Sequence, residues 1–265
     1  MIELILAVIS GSTVGFVLGL IGGGGSILAT PLMLYVVGLK PHEAIGTGAL
    51  AVSANAFANF AGHARRGNVR WRSAIIFAIL GIAGAMAGSS LGKIVDGKKL
   101  IFLFAVLMIV VGILMLRRKA PTAAQLAKSH EPEHLTPKSI VLVCLAALVV
   151  GALSGFFGIG GGFLIVPGLL FSTGMPMIFA IGSSLLSVGT FGLTTAVNYS
   201  ISGLVDWRVA IEFILGGIIG GLIGTRLAVA LAPRRAALNR IFAGLVFVVA
   251  IYMIYRNAAS VGVHF

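Results

Sequence analysis

Charge is scarce in this chain of 265 residues: charged side chains make up 10% of it, and only seven are acidic. A soluble domain carries about 25% charged residues. With 58% hydrophobic residues and a mean hydropathy of +1.10, too little polar surface remains to wrap one apolar core. A bilayer removes that difficulty by solvating apolar side chains itself. Cysteine is nearly missing as well. Cys144 stands alone, so no intrachain disulfide can form. No Ser/His/Asp set, pair of buried carboxylates or cysteine ligand set is present, so enzyme chemistry, a cofactor and a structural metal all lack support. His130 and His134 have metal-ligand spacing, but Pro132 between them opposes the helix that would pair them. A nucleotide site is excluded by the absence of Gly-Lys-Ser/Thr.

What is present is a series of apolar runs, at about 4–20, 26–39, 43–62, 73–92, 99–116, 139–157, 162–174, 178–200, 209–231 and 237–255. A spanning helix needs about 20 residues. Most runs qualify, but 26–39 and 162–174 are long enough only for a half-span or a re-entrant segment. Met1-Ile2-Glu3 lacks the basic start of a cleaved signal peptide, so the first run is read as retained. The 37 glycines fit close helix packing in a membrane. The net charge of +12 sits in short clusters between the runs, which orients a membrane protein and argues against a nucleic-acid partner.

The chain repeats itself at an offset of 136 residues. Gly15, Gly19, Gly22, Gly24, Gly25, Leu28 and Pro31 fall on Gly151, Gly155, Gly158, Gly160, Gly161, Leu164 and Pro167. Ala44-Ile45-Gly46 falls on Ala180-Ile181-Gly182, and Trp71-Arg72 on Trp207-Arg208, the only two tryptophans. The domains are therefore a first membrane repeat over 1–117, a basic linker over 118–138 and a second membrane repeat over 139–265. Arg65, Arg66, Arg70, Arg72, Arg117, Arg118, Lys119, Lys128, Lys138, Arg234, Arg235 and Arg240 fall on one side if the long runs each cross once. The other side has Lys40, Lys93, Lys98, Lys99, Arg208 and Arg256. The twelve-residue side is expected in the cytoplasm. Each repeat then crosses an odd number of times. The expected fold is all-α: a polytopic membrane protein of two inverted repeats, each of about five helical segments with a Gly-rich broken helix.

The breaks fall at Gly19-Leu-Ile-Gly-Gly-Gly-Gly-Ser26 and Gly155-Phe-Phe-Gly-Ile-Gly-Gly-Gly162. Glycine weakens a helix by about 1 kcal/mol relative to alanine, so four in a row should unwind it. Unwound backbone at membrane depth must be buried in protein or line a wet cavity. The helices that follow would point their N-termini, which favour anions, toward the middle of the bilayer. The simpler reading, close helix crossing alone, suits Gly81/Gly84/Gly88/Gly92 and Gly216/Gly217/Gly220/Gly221/Gly224 better. Polar residues interrupt two runs on one face each: Thr47, Asn55 and Asn59, then Ser183, Ser187, Thr190, Thr194 and Asn198. Serine and threonine can satisfy themselves on their own helix; asparagine does so less well. The substrate-binding candidates are Gly22, Gly23, Gly24, Gly25, Ser26, Asn55, Asn59, Gly160, Gly161, Gly162, Ser187, Thr194 and Asn198. Glu43, at a helix start, and Glu212 are the carboxylates that could handle a coupling proton, with helix capping as the alternative for Glu43. Arg72 and Arg208 read as interfacial Trp-Arg anchors.

The doubled G-x3-G-x2-G-x-G-G-x-hydrophobic-x2-P element resembles the TauE/SafE sulfite exporter family, together with Ala44-Ile45-Gly46, Ala180-Ile181-Gly182, Trp71 and Trp207. The resemblance covers nearly everything but the linker. It implies a multi-pass protein of the cell membrane (the inner membrane in a Gram-negative bacterium) that exports small anions such as sulfite or sulfonates. A passive anion channel is the alternative; a structural scaffold would need neither broken helices nor a polar stripe. The partners would be the lipid bilayer, a small anion and protons as coupling ion, and an oligomer is compatible with all of this. Gly23 and Ser26 stand where the second copy has Ile159 and Gly162, which alters the pocket between copies. Cysteines placed at positions 67 and 236 should react with impermeant reagents only from the cytoplasm, and one at position 97 only from outside; labelling of 67 and 97 from the same side would overturn this topology.

Overall fold

The computed structural model describes residues 2–117, 137–158, 162–230, 244 and 247–255. The linker with His130 and His134, and Arg234, Arg235 and Arg240, lie outside the described residues. Nine α-helices are used below: α1 (Ile2–Ile21), α2 (Ala29–Leu32), α3 (Pro41–Arg65), α4 (Trp71–Ile94), α5 (Gly97–Arg117), α6 (Pro137–Phe157), α7 (Gly162–Thr173), α8 (Met177–Ile201) and α9 (Trp207–Ala230). A further helical stretch covers 247–255. Among the described residues no strand occurs.

Six of these helices are long and apolar enough to cross a membrane: α1, α4, α5, α6, α8 and α9. Their outward faces carry exposed Ile75, Ile79 and Met86 on α4, Val141, Leu145 and Val149 on α6, and Ile211, Leu215 and Ile219 on α9. Such surfaces suit lipid and not water. α3 has 25 residues, about 37 Å at 1.5 Å each, yet is absent from that apolar set. It packs against α8 and α9, so its buried face can carry Thr47, Ser53, Asn55, Asn59 and His63.

The two halves exchange helices. α1 packs chiefly on α9 of the other half, and α6 packs reciprocally on α4. Both seams are built from glycine. A Cβ on Gly15 would strike the Gly217 backbone, and one on Gly151 would strike Gly81, the equivalent pair. Gly220 faces Ser12 as Gly84 faces Leu148, and Gly224 faces Phe16 as Gly88 faces Ala152. Small residues let backbones approach this closely. The Ser12 hydroxyl adds a bond to the Gly216 carbonyl at 3.1 Å.

The hairpin turns match too. α3 ends with the Gly67 N–H on the Ala64 carbonyl and the Asn68 N–H on the His63 carbonyl, both 3.0 Å, a Schellman motif closed by Gly67 at φ +69°. α8 ends in the same way at Gly203, also φ +69°. Each turn is held by a hydroxyl of the other half. The Arg70 N–H donates to Ser183 Oγ and the Asp206 N–H to Thr47 Oγ1, both at 2.9 Å. Where α3 crosses α8, the Ser53 hydroxyl donates to the Gly189 carbonyl at 2.7 Å, and these two positions are equivalent in the repeat. That places the crossing of α3 and α8 at the centre of the exchange.

Gly220→Ala is expected to destabilise by about 1–3 kcal/mol, the usual range for overfilling a packed site. In Gly48→Ala the new methyl meets nothing nearer than 3.9 Å, so it should be neutral or gain up to about 1 kcal/mol from helix propensity. Thermal unfolding in detergent compares the two, and equal melting temperatures would contradict the seam's structural role.

Candidate functional site

Both long helices that open a half stop at a left-handed glycine. α1 ends at Ile21 and Gly22 takes φ +76°; α6 ends at Phe157 and Gly158 takes φ +65°. A Cβ at Gly22 would meet Ile181, and one at Gly158 would meet Ile45, again equivalent partners. Only glycine adopts this backbone without strain. After the first break the chain does not form one short α-helix. It runs as a 3₁₀ turn over Gly22–Leu28, a single α-turn in α2 and a π-turn over Met33–Val37. Four glycines supply little helix propensity, and short 3₁₀ pieces are common connectors. After the second break α7 is a regular helix of 12 residues with Pro167 inside it.

The two broken segments meet through their backbones. A Cβ on Gly23 would strike Gly162, and one on Gly162 would strike Gly23. Around this contact the Ser26 hydroxyl donates to the Gly23 carbonyl at 2.9 Å, and the Gly23 N–H lies 3.5 Å from Ser184 Oγ, a long bond. Ser184 in turn donates to the Ile181 carbonyl at 2.8 Å. Ser26, Ser184 and Ser187 are fully buried. The Ser187 hydroxyl, Thr30 Oγ1 on α2 and Ser154 Oγ on α6 have no hydrogen-bond partner. An unmet buried hydroxyl is unfavourable by roughly 1–3 kcal/mol. Free hydroxyls of this kind, the backbone of the breaks and the N-terminus of α7 are neutral donors suited to a desolvated anion.

The structure thus brings together Gly22, Gly23, Ser26 and Gly162 from the sequence-based set. Gly24 and Gly25 continue the same 3₁₀ turn; Gly160 and Gly161 lie outside the described residues. Asn55 and Asn59 face α9, against Gly217 and Gly221. Asn59 donates to the Asn55 carbonyl at 2.8 Å and accepts from Thr225 at 2.9 Å, while neither side-chain amide atom of Asn55 is bonded. Thr194 is satisfied by the Thr190 carbonyl of its own helix at 2.8 Å. Asn198 turns to α4, donating to Ser89 and Ser90 and accepting from Lys93 at 2.8 Å. Lys93 also reaches the Asn198 carbonyl and Ser202, and so caps the C-terminus of α8 with a favourable charge. Glu212 pairs with Arg208 at 3.1 Å, and Glu43 is half-buried in the first turn of α3. Among the described residues no cluster of His, Cys, Asp or Glu could hold a metal ion.

Sequence reasoning passed over Ser184, Thr30, Ser154 and His63. Their signal was weak because the repeat was read for its matches, and none of the four has a like residue at its equivalent position.

The family model described as "Sulfite exporter TauE/SafE" matches residues 7–253. A "Probable membrane transporter protein" of Xylella fastidiosa is 56% identical over 263 residues, covering 97% of each chain. "Probable membrane transporter protein YunE" of Bacillus subtilis is 28% identical over 229 residues, 80% of this chain and 84% of the relative. A further relative of the same description from Methanocaldococcus jannaschii is 29% identical over 211 residues, 74% of this chain and 71% of its own. No solved structure matches.

Gly23→Ala and Gly162→Ala force the two breaks apart, because each new methyl would enter the other segment's backbone. Both variants are expected to insert in the membrane at normal levels while losing most substrate flux. Normal flux through both would dissociate this contact from function.

Proposed function

The chain belongs to the sulfite exporter TauE/SafE family, and from that premise we infer that it is a secondary transporter exporting small sulfur-containing or organic anions, sulfite and sulfonates foremost. Membership of the family already makes it a multi-pass membrane transporter and points away from an enzyme. The observation that carries the finer reading is the backbone contact of the two breaks at Gly23 and Gly162. It lies beside the buried, neutral hydroxyls of Ser26 and Ser184, and the unbonded Ser187 hydroxyl follows about one turn on from Ser184 along α8. An anion that has shed its water there meets N–H and O–H donors, and no lysine or arginine lies within the apolar runs that carry them, so no fixed positive charge holds it too tightly to release. We assign Gly22 to Ser26, Gly162, Ser184 and Ser187 to this site.

The reciprocal contacts of the halves support inverted repeats, with the arginine-rich ends in the cytoplasm and the site between the repeats. Alternating access then follows from one half rocking against the other. An inside-negative potential drives a monovalent anion outward by about 2.3 kcal/mol per 100 mV, enough for export without a strongly coupled ion. A passive anion channel would use the same drive. What favours a carrier is that the two breaks touch, which leaves the centre closed.

Purified protein in liposomes is expected to move sulfite or methanesulfonate with an initial rate that saturates and is inhibited by the unlabelled anion. A rate linear in concentration would establish the channel. No flux of either anion would sink the substrate assignment.

A further inference from the structure

The equivalent positions of the two halves divide into two sets. Those that hold the scaffold match: the seam glycines, the left-handed glycines and the hydroxyl clamps on the turns. Along the buried face of α3 the matching stops. Asn55, Asn59 and His63 stand four residues apart and form one stripe; their equivalents on α8 are Phe191, Thr195 and Tyr199. Phe191 fills the niche over Gly81 and stacks on Phe77 at 6.2 Å. Asn55 occupies the equivalent niche over Gly217 with both amide atoms unbonded. An aromatic ring meets the packing requirement of such a niche, so packing does not account for the amide.

His63 ends this stripe. It is fully buried, and neither ring nitrogen has a hydrogen-bond partner. It lies where three helices meet: the Gly19 backbone of α1 is beside the ring, and Thr225 of α9 packs on Gly19 while bonding Asn59. Gly19 is three residues before Gly22, about one turn from the break. α8 contributes Gly182, whose Cβ position is 3.4 Å from the His63 Cβ, and no charge. Among the described residues the charged groups on the elements at this end are Arg65 and Arg66 on α3, Arg70 in the turn, which lies over the Phe179 ring at 4.2 Å, Arg72 at the start of α4 and Arg226 on α9. α1 carries only Glu3 at its far end, and the Arg208–Glu212 pair is at the opposite end of α9. Among the described residues, every charge on the elements packed around His63 at this end is therefore positive, and none of them is a carboxylate that could balance an imidazolium.

An anion is the group that can balance it. We propose that His63 is a protonation site linked to the anion site: an anion at the helix breaks draws a proton onto His63, and a proton on His63 tightens anion binding. This rests on the transport reading above and adds the proton as a partner in loading. The proton comes from water at the arginine-rich face, where Arg66 is exposed about one turn away, and adds to the free lone pair of the imidazole. No other bond changes. By linkage the two effects are equal in size. Affinity must rise as pH falls, by up to about tenfold per unit, between the pKa of His63 with and without the anion.

Calorimetric titration of the whole protein in detergent with methanesulfonate tests this, because that anion is a strong acid's conjugate base and carries no proton of its own near neutrality. Between about pH 5 and 8 the affinity should strengthen as pH falls. The dependence of the heat on the buffer's ionisation heat should reveal uptake of up to one proton per anion. His63→Gln should still bind but lose both the pH slope and the proton uptake, whereas Tyr199→Phe should keep both. A flat affinity without proton uptake in the wild type, or an unchanged slope in His63→Gln, overturns the proposal and leaves the transport reading standing. Should His63→Gln fail to fold, proton uptake by the wild type decides alone. If the wild type binds neither methanesulfonate nor sulfite, the substrate reading falls and this linkage falls with it.

Discussion

A bilayer offers no water to an interrupted helix. Each N–H and C=O freed at membrane depth must find cover inside the protein, and the rest of this structure answers that demand. The two breaks at Gly22 and Gly158 are covered by each other, through Gly23 and Gly162, and by Ile181 and Ile45 reaching across from α8 and α3. They could not meet unless α1 and α6 came close to the centre. The glycine seams allow this by letting α1 lie on α9, and α6 on α4, at backbone distance. The exposed isoleucines and leucines of those outer helices then follow, since the seams leave their other faces to lipid.

Internal symmetry gives this cover twice over, and it also makes departures from symmetry informative. A pair of equivalent positions experiences nearly the same packing. When both hold glycine, or both hold a small hydroxyl residue as Thr47 and Ser183 do, the fold alone accounts for them. When one holds phenylalanine and the other asparagine, as at Phe191 and Asn55, something beyond the fold distinguishes them. Asn59 and His63 on α3, which match Thr195 and Tyr199 on α8, depart from symmetry in the same way.

Much of the scaffold was legible in the sequence. Glycine clusters marked the breaks, Trp71 and Trp207 marked helix starts to the residue, and the lengths of the apolar runs set the short segments after the breaks apart from the long helices. The packing role of Gly81, Gly84 and Gly88 could be read from their spacing. Their partner could not, because glycine spacing makes a helix face flat without specifying what lies on it; the exchange of α1 and α6 between halves emerges only in three dimensions. The site was less legible for a related reason. Periodicity places Ser187, Thr194 and Asn198 on one polar stripe, but a stripe can be spent locally. Thr194 bonds its own helix, Asn198 turns to Lys93 on α4, and only Ser187 keeps a free hydroxyl. The 3₁₀ and π turns after the first break depend on balances too fine for propensity to register.

The exchange of helices also bears on how the chain comes to be made. Ser12 on α1 bonds Gly216 on α9, 204 residues later in the chain, and α9 is the main partner of α1. At about 5–20 residues per second, the intervening stretch takes on the order of 10 to 40 s to synthesise. Through that interval the glycine face of α1 is inserted but unmatched, and α4 meets its partner α6 far sooner. The chain's own connectivity therefore makes both sides of the α4–α6 seam available well before both sides of the α1–α9 seam.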